Sequence, residues 1–458
     1  MRAAALPFFL LSLFLLTAAQ CASGSDQQPS PPPPLTCAKG LEGPGNRQRF
    51  WDTTTDSTNI PAIVDMFSSS GRLHVIINTK STACPGCHAV DWHGLAWRCE
   101  YGDGSVETAP PPKADPHNHS LIVSCKLRLS TAEANHPNQP VRVSITAYNT
   151  PSSFSDSGVT ATVVEYPNVA FCRYPYDRSD ASTHFNLRTG AVEHHYKHNL
   201  GACTSVAGAH LYRVPEWVTY HLQQGWQHFY IYVNEDPTAA RALLAPFIES
   251  GLLDVIDFQS PPGSRTFSQQ QAAENSCLAR YRGLARWVAM ADVDEFFQSM
   301  APAVTVAAWL AERHVGLANS SGFAFTRVKF GGSGYSATEL QIAETRPEGA
   351  GSPLLAVSEF VFRGVEPDTS HTKNIVMPVL VGYYSVHEVT LGLPTTAVNA
   401  QQDGRVVHYK TPASQKHRVL DTSMCVHATA LLRALVRFGF DTLRVPDAAW
   451  SKSYKYIV

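Results

Sequence analysis

A chain of 458 residues is long enough for about three domains, each with its own buried core. Apolar residues make up 44% and charged residues 16%, which excludes a disordered chain. A net charge of −2, with no basic run, argues against a nucleic-acid partner.

The N-terminus opens with Met1-Arg2 and an apolar run from Ala3 to Ala19, followed by the small and polar residues Gln20 to Gly24. Residues 1–23 are therefore predicted to be a signal peptide or a retained signal-anchor, because the run sits at the lower limit for a membrane span. The secretory pathway is the expected compartment. Two sequons, Asn118-His119-Ser120 and Asn319-Ser320-Ser321, agree with it. Most of the ten cysteines are expected to pair in that oxidising lumen, with connectivity left open. Residues 24–36 hold four consecutive prolines, Pro31 to Pro34, and read as an extended stem.

Residues 37–165 read as a small antiparallel β-sandwich. Candidate strands are Leu73–Asn78, Leu95–Tyr101, Leu121–Leu129 and Val141–Tyr148, separated by Pro- and Gly-rich loops. Within this region Cys84-Pro85-Gly86-Cys87-His88 fits a haem-attachment or zinc pattern. In a secreted β-domain, ordinary disulfides explain such cysteines better.

Residues 166–440 change to alternating strands and helices. Pro215 opens a helix over Glu216–Gln224 that stops at Gly225. Strand Phe229–Val233, helix Thr238–Ser250, strand Leu252–Phe258, helix Ser268–Arg282 and strand Trp287–Ala291 follow in order. This alternation predicts β-α-β units on a parallel sheet, hence an α/β fold. A further strand is expected at Gly322–Phe330 and a late helix at His427–Phe438, with 441–458 as a tail. Trp217, Tyr220 and Trp226 read as helix-face core.

The apolar strand Trp287–Ala291 stops abruptly at Asp292-Val293-Asp294. Bare carboxylates are too costly to bury, so they should emerge at the strand's carboxyl end, where open α/β sheets bind ligands. In extended geometry Asp292 and Asp294 point the same way. Two hard oxygen donors suit Mn²⁺ or Mg²⁺. The glycine-rich Gly331-Gly332-Ser333-Gly334 lets backbone N–H groups approach a phosphate or sugar, with Gly332 and Ser333 at its centre.

The segment Glu216–Asn234 (EWVTYHLQQGWQHFYIYVN) resembles the opening helix and strand of glycosyltransferase family 92. Further blocks match in order: Gln271-Ala272 and Cys277, Ala291–Phe297 (ADVDEFF), Lys329–Gly334 (KFGGSG), His371–Pro378 (HTKNIVMP), Val386-His387-Glu388 and His408-Tyr409-Lys410. The resemblance spans roughly residues 165–440. It implies a GT-A type nucleotide-sugar fold and a hexosyltransferase taking galactose from UDP-galactose to a glycan or polysaccharide acceptor, with Golgi residence. It implies that Asp292 and Asp294 hold the metal with Asp292 also near the ribose, that His408 completes the metal site, that Lys373 offsets diphosphate charge, and that His387 or Glu388 is the base of an inverting transfer. Tyr232–Thr238 (YVNEDPT) departs from the family's usual Asp-Asn pair, which moves the nucleotide-contacting acid to Glu235 or Asp236. That departure keeps a non-catalytic carbohydrate-binding protein as the alternative.

Overall fold

The computed structural model describes residues 62–440 apart from 70–71, 79–93, 115–119, 129–140, 150–161, 172–182, 187–190, 195, 260–265, 302, 315–316, 318, 331–354, 360–361 and 410–417. The N-terminal apolar run, the Pro-rich stem, the Cys84–His88 motif, the Asn118 sequon, Gly332, Ser333 and the C-terminal tail lie outside the described residues. Cys37–Val458 forms one compact unit. Among the described residues no helix is long and apolar enough to cross a membrane.

The N-terminal strands pair into two antiparallel four-stranded sheets. One runs in the order β1 (Ala62–Ser69), β2 (Arg72–Asn78), β6 (Ser120–Lys126), β5 (Lys113–Ala114). The other runs β4 (Val106–Ala109), β3 (Leu95–Tyr101), β7 (Val141–Asn149), β8 (Thr162–Phe171). Alternation along β2 sends Leu73, Val75 and Ile77 into the core between the sheets, with Trp97, Val123 and Ile145. Ile76 leaves from the opposite face and is fully buried there too, against the second half of the chain. That double burial explains why LHVIIN is an almost unbroken apolar run rather than a polar–apolar alternation. Cys99–Cys125 joins β3 to β6 across the sandwich.

A short hairpin, β9 (Thr183–Asn186) with β10 (Ala191–His194), leads into the α/β half. There β11 (His198–Val206) is followed by a 3-10 turn at Gly208–Arg213 and helix α1 (Val214–Gln223). Then come β12 (His228–Val233), α2 (Thr238–Leu243), α3 (Ala245–Glu249), β13 (Leu253–Asp257), α4 (Thr266–Tyr281) and β14 (Ala285–Met290). The helix expected over Thr238–Ser250 is broken at Leu244, because Pro246 supplies no N–H to continue the first ladder and instead sits in the first turn of a second helix. The four strands lie parallel in the order β13-β12-β11-β14, as the alternation predicted. Gly201 of β11 is required by close approach: a Cβ there would stand 2.6 Å from the Tyr281 ring.

Beyond β14 the sheet becomes mixed. β15 (Glu295–Ser299), α5 (Val306–Arg313), β16 (Gly322–Phe330), a single helical turn at Ala356–Glu359, β17 (Phe362–Gly364), β18 (Asp368–Val376), β19 (Val381–Ser385), β20 (Glu388–Gly392), β21 (Thr395–Val398), β22 (Gly404–Tyr409), β23 (Arg418–Leu420) and α6 (Ala428–Arg437) follow. Strand β18 runs antiparallel to both β14 and β16, and all but β19 and β20 of these strands join one eleven-stranded sheet. Along β12, Phe229, Ile231 and Val233 face a core that includes Trp217, Trp309 and Leu431, while Tyr230 and Tyr232 face Cys277 and Tyr281 of α4. The sheet is thus covered on both faces, and Trp217, Tyr220 and Trp226 are core as expected.

Helix α4 is the joint between the two halves. Ile76 and Ile122 of the sandwich share a core with its Ala273, Cys277 and Leu278. Beside them Arg280 Nη2 lies 2.9 Å from both Asp65 oxygens, with side-chain exposures of 1% and 0%. A second disulfide, Cys203–Cys277, ties β11 to α4.

Candidate active site

The sheet changes direction between β11 and β14. From β11 the chain steps outward to β12 and β13, then returns to the other side of β11 as β14. The crevice at the carboxyl ends of these two strands is a topological switch point, the position at which open α/β sheets bind ligands. The Gly208–Arg213 turn leaves one side of it, and Asp292-Val293-Asp294 leaves the other.

The two aspartates are not in extended geometry, contrary to the sequence expectation. Glu295 N–H donates to Asp292 O at 2.9 Å, closing a tight turn. Glu295 Oε2 accepts the Asp292 N–H at 3.0 Å, so the turn is locked from both ends. The carboxylates consequently face different partners. Asp292 remains 42% exposed, accepts from Gln270 Nε2 at 2.9 Å and lies 3.4 Å from Lys373 Nζ. Asp294 is buried, with Oδ2 3.5 Å from His408 Nε2.

Strand pairing brings His408 there. Antiparallel β15 and β22 set Glu295 opposite His408, and Tyr409 N–H donates to Asp294 O at 2.8 Å. Burial alone would raise the Asp294 carboxyl, but His408, then Arg213 and His210, hold it well below the usual carboxylate range. For Asp292 desolvation raises the carboxyl, Lys373 opposes, and Glu295 and Asp294 add to the rise.

Lys373, on β18, is completely buried between Glu295 Oε2 at 3.2 Å and Asp292 Oδ2 at 3.4 Å. Burial works against its charge, yet Asp292 and Glu295 keep the ammonium protonated far above its ordinary range. Glu295 also meets Arg327 Nη1 at 3.3 Å, and Arg327 reaches Asp368 Oδ2 at 3.2 Å. With two carboxylates on one ammonium, the open side presents the Asp292 oxygens, which suit a cation there.

His387 sits at the tip of the β19–β20 hairpin. Its Nδ1 lies 3.1 Å from Thr372 O, and its ring meets His371 edge-on at 4.9 Å between centroids. Burial, then Lys373 and Arg327, push the imidazole down to about 4, so it is neutral at pH 7. The carbonyl partner makes Nδ1 the protonated nitrogen and puts the lone pair on Nε2. Glu388 is exposed on the strand beyond the tip.

Sequence reasoning passed over Glu295, Arg327, Gln270 and Glu274. Glu295 stands inside the ADVDEFF block and directly follows the aspartates, which is the only signal it carries. The displaced acids are engaged locally: Glu235 Oε1 accepts the Gly208 N–H at 2.6 Å, and Asp236 Oδ1 accepts from Thr238 N–H and hydroxyl at 2.9 and 2.7 Å. Among the described residues no three His, Cys, Asp or Glu side chains already stand close enough to hold a metal ion.

Residues 198–429, from the first parallel strand to the start of α6, match the sequence model of glycosyltransferase family 92. The chain belongs to glycosyltransferase family 92. The matched span contains the aspartate turn, Lys373, His387 and His408. The family is one of glycosyltransferases. Among solved structures the chain is similar to TarS from S. aureus (residues 1–349), at 9% identity over 46% of this chain and 60% of that one, with a TM-score of 0.26. It is similar also to a mycobacterial protein, at 14% identity over 54% of this chain and 75% of that one, with a TM-score of 0.23. No curated protein matches the sequence.

Proposed function

We propose that this family 92 enzyme transfers a hexose, galactose from UDP-galactose, to a hydroxyl of a glycan or polysaccharide, with inversion and with Mn²⁺ or Mg²⁺. The observation that carries the reading is the meeting of Asp294 and His408 at the switch point, beside a half-exposed Asp292 backed by a buried ammonium. Asp294 and His408 are donors of the right type for such a cation, and Asp292 would complete the set by turning toward them. At 3.5 Å the Asp294–His408 contact is too long for a hydrogen bond, and His408 Nδ1 is buried without a partner among the described residues. Asp292, Asp294 and His408 would hold the ion through carboxylate oxygens and an imidazole nitrogen. When bound, it supplies Lewis-acid neutralisation of the leaving diphosphate.

The chain's own groups do the rest. Lys373 adds fixed positive charge next to the diphosphate, and on sequence grounds Gly332 and Ser333 contribute backbone N–H groups to it. His387 Nε2 takes the proton from the acceptor hydroxyl as that oxygen attacks the anomeric carbon. The bond from the anomeric carbon to the phosphate oxygen breaks, and the electron pair leaves with the diphosphate. Glu388, exposed beyond the tip, is the less suited of the two candidate bases. The two described disulfides support work in an oxidising lumen, in keeping with a Golgi setting.

The test is a nucleotide-sugar screen against glycan acceptors with and without Mn²⁺. UDP-galactose turnover that is metal-dependent and falls at least about 100-fold in folded Asp294→Ala is the expected result. Glycan binding with no donor turnover across the screen would replace the enzyme by the carbohydrate-binding alternative.

A further inference from the structure

The turn that carries His387 is strained. Val386 has φ +42°, a left-handed conformation that a β-branched side chain strongly disfavours. His387 N–H donates back to Ser385 O, which makes Ser385–His387 a γ-turn of the rare hand. Such a shape persists only where its surroundings over-determine it, and it is most often found where a side chain has to be aimed.

The surroundings do over-determine it. On one side α4 supplies Glu274, whose Oε2 accepts the Val386 N–H at 3.1 Å, and Gln271, whose Nε2 donates to Ser385 Oγ at 2.8 Å. One residue further along, Asn275 donates to Tyr384 O at 2.8 Å and accepts the Tyr384 N–H at 2.9 Å. On the other side Thr372 Oγ1 and Asn374 Nδ2 donate to His387 O at 2.7 and 3.0 Å. Gln271, Glu274 and Asn275 are all buried, so this face of α4 is polar although it never meets solvent. A helix that buries amides and a carboxyl against one hairpin gives up apolar packing there, and each of the three side chains bonds the hairpin that ends in the strained tip.

We propose that Glu274, supported by Gln271 and Asn275, is a positioning residue: it holds the Ser385–His387 γ-turn in its strained form and so fixes the His387 imidazole beside the Lys373 cluster. The inference rests on the reading of His387 as the base. Burial pushes Glu274 up to about 8, so it is neutral at pH 7 and acts as an acceptor of the Val386 N–H rather than as a charge. An isosteric amide therefore replaces it.

The experiment compares Glu274→Gln, Glu274→Leu, Val386→Gly, Glu274→Leu/Val386→Gly, His387→Ala and Glu274→Leu/His387→Ala. The readouts are UDP-galactose turnover with Mn²⁺, UDP affinity, thermal melting and histidine imidazole NMR. Glu274→Gln keeps kcat and the His387 resonance. Glu274→Leu lowers kcat about 100-fold with UDP affinity and donor KM unchanged, and broadens or moves the His387 signal. Glycine adopts the turn without strain, so Val386→Gly in the Glu274→Leu background restores the signal and brings kcat back to within about tenfold of the parent. In the His387→Ala background Glu274→Leu costs nothing more. An additive loss there, absence of suppression by Val386→Gly, or an unmoved His387 signal in Glu274→Leu overturns the proposal. Should Glu274→Leu not fold, loss of kcat and of the His387 signal in Glu274→Gln overturns it, and their retention supports it. The two readings fail separately: parental kcat in His387→Ala removes the base assignment while the NMR comparison still decides the clamp, and an inactive His387→Ala beside a fully active Glu274→Leu removes the clamp alone.

Discussion

A carboxylate with no exposed surface has to have its charge answered, and Glu295 is answered twice, by Lys373 and by Arg327. Lys373, then His408 and Arg327, hold it below its ordinary range against the opposing effect of burial. Its second oxygen also fixes the Asp292 N–H, so one side chain shapes the aspartate turn and neutralises the lysine beneath it. Removing one partner of a buried ionic cluster leaves the others uncompensated, at about 3 kcal/mol or more. Glu295→Ala is therefore expected to lower stability by about 3 kcal/mol in denaturant titration. Glu295→Gln keeps an acceptor for the turn and should cost less. Equal losses for the two would show that the charge, not the turn, is what Glu295 provides.

At the scale of elements, α4 does three jobs along its length. Near its start Gln270 holds Asp292, in its middle Gln271, Glu274 and Asn275 hold the hairpin, and near its end Arg280 holds Asp65 of the sandwich. Ser276 lies between, donating to Asp65 and meeting Tyr232 OH at 2.9 Å. The sandwich is thereby built into the seating of the helix that shapes the site. Asp65→Ala strands a buried guanidinium and should cost about 3–5 kcal/mol, whereas Asp65→Leu with Arg280→Met should recover most of it, since paired apolar replacements are often neutral. Melting curves of the three proteins decide this. A double variant no better than Asp65→Ala would mean that the ion pair itself specifies the seam.

Over the whole molecule, buried carboxyls pull stability in opposite directions with pH. Asp421, hydrogen-bonded by Ser423 and paired with Arg405, is lowered to about 2 against the effect of its own burial, and Asp294 and Asp368 are also lowered despite burial. A depressed carboxyl contributes stability that is present above its unfolded value and lost as pH falls through the folded one. Glu216 is the reverse case. Burial pushes it up to about 7, although the Ala356 and Val357 N–H groups donate to it at 3.1 and 3.3 Å. Its contribution is full below the unfolded value of about 4.5 and gone once pH passes about 7, a change on the order of 3 kcal/mol. Buried His198, His221 and His387 are pushed down and add stability as pH rises toward 6.5, so the Glu216 effect is read from the difference between variant and parent. Glu216→Gln should gain stability relative to the parent between about pH 4.5 and 7 and leave the acid arm in place. A constant difference between the two melting curves across that range would assign no pH dependence to Glu216.

Much of this molecule was legible in its sequence, because apolar periodicity and backbone punctuation are local properties. The alternation of β11 to β14 with helices, the start of α1 at Pro215, the core tryptophans and the abrupt stop of an apolar strand at Asp292 all follow from residues near one another in the chain. The break at Leu244 carried a local signal too, Pro246, which the apolar period outweighed. What the sequence did not hold was contact between distant segments. Strand register alone sets His408 against Asp294, the buried lysine of β18 beneath Asp292, and the polar face of α4 against a strained hairpin more than a hundred residues away. The same polar helix face reads from sequence as a solvated one, since a glutamine or glutamate carries no mark of whether water or a backbone N–H will answer it. Hydrogen-bond and charge partners are chosen by three-dimensional neighbourhood, and so the chemistry of the candidate site was decided by tertiary structure.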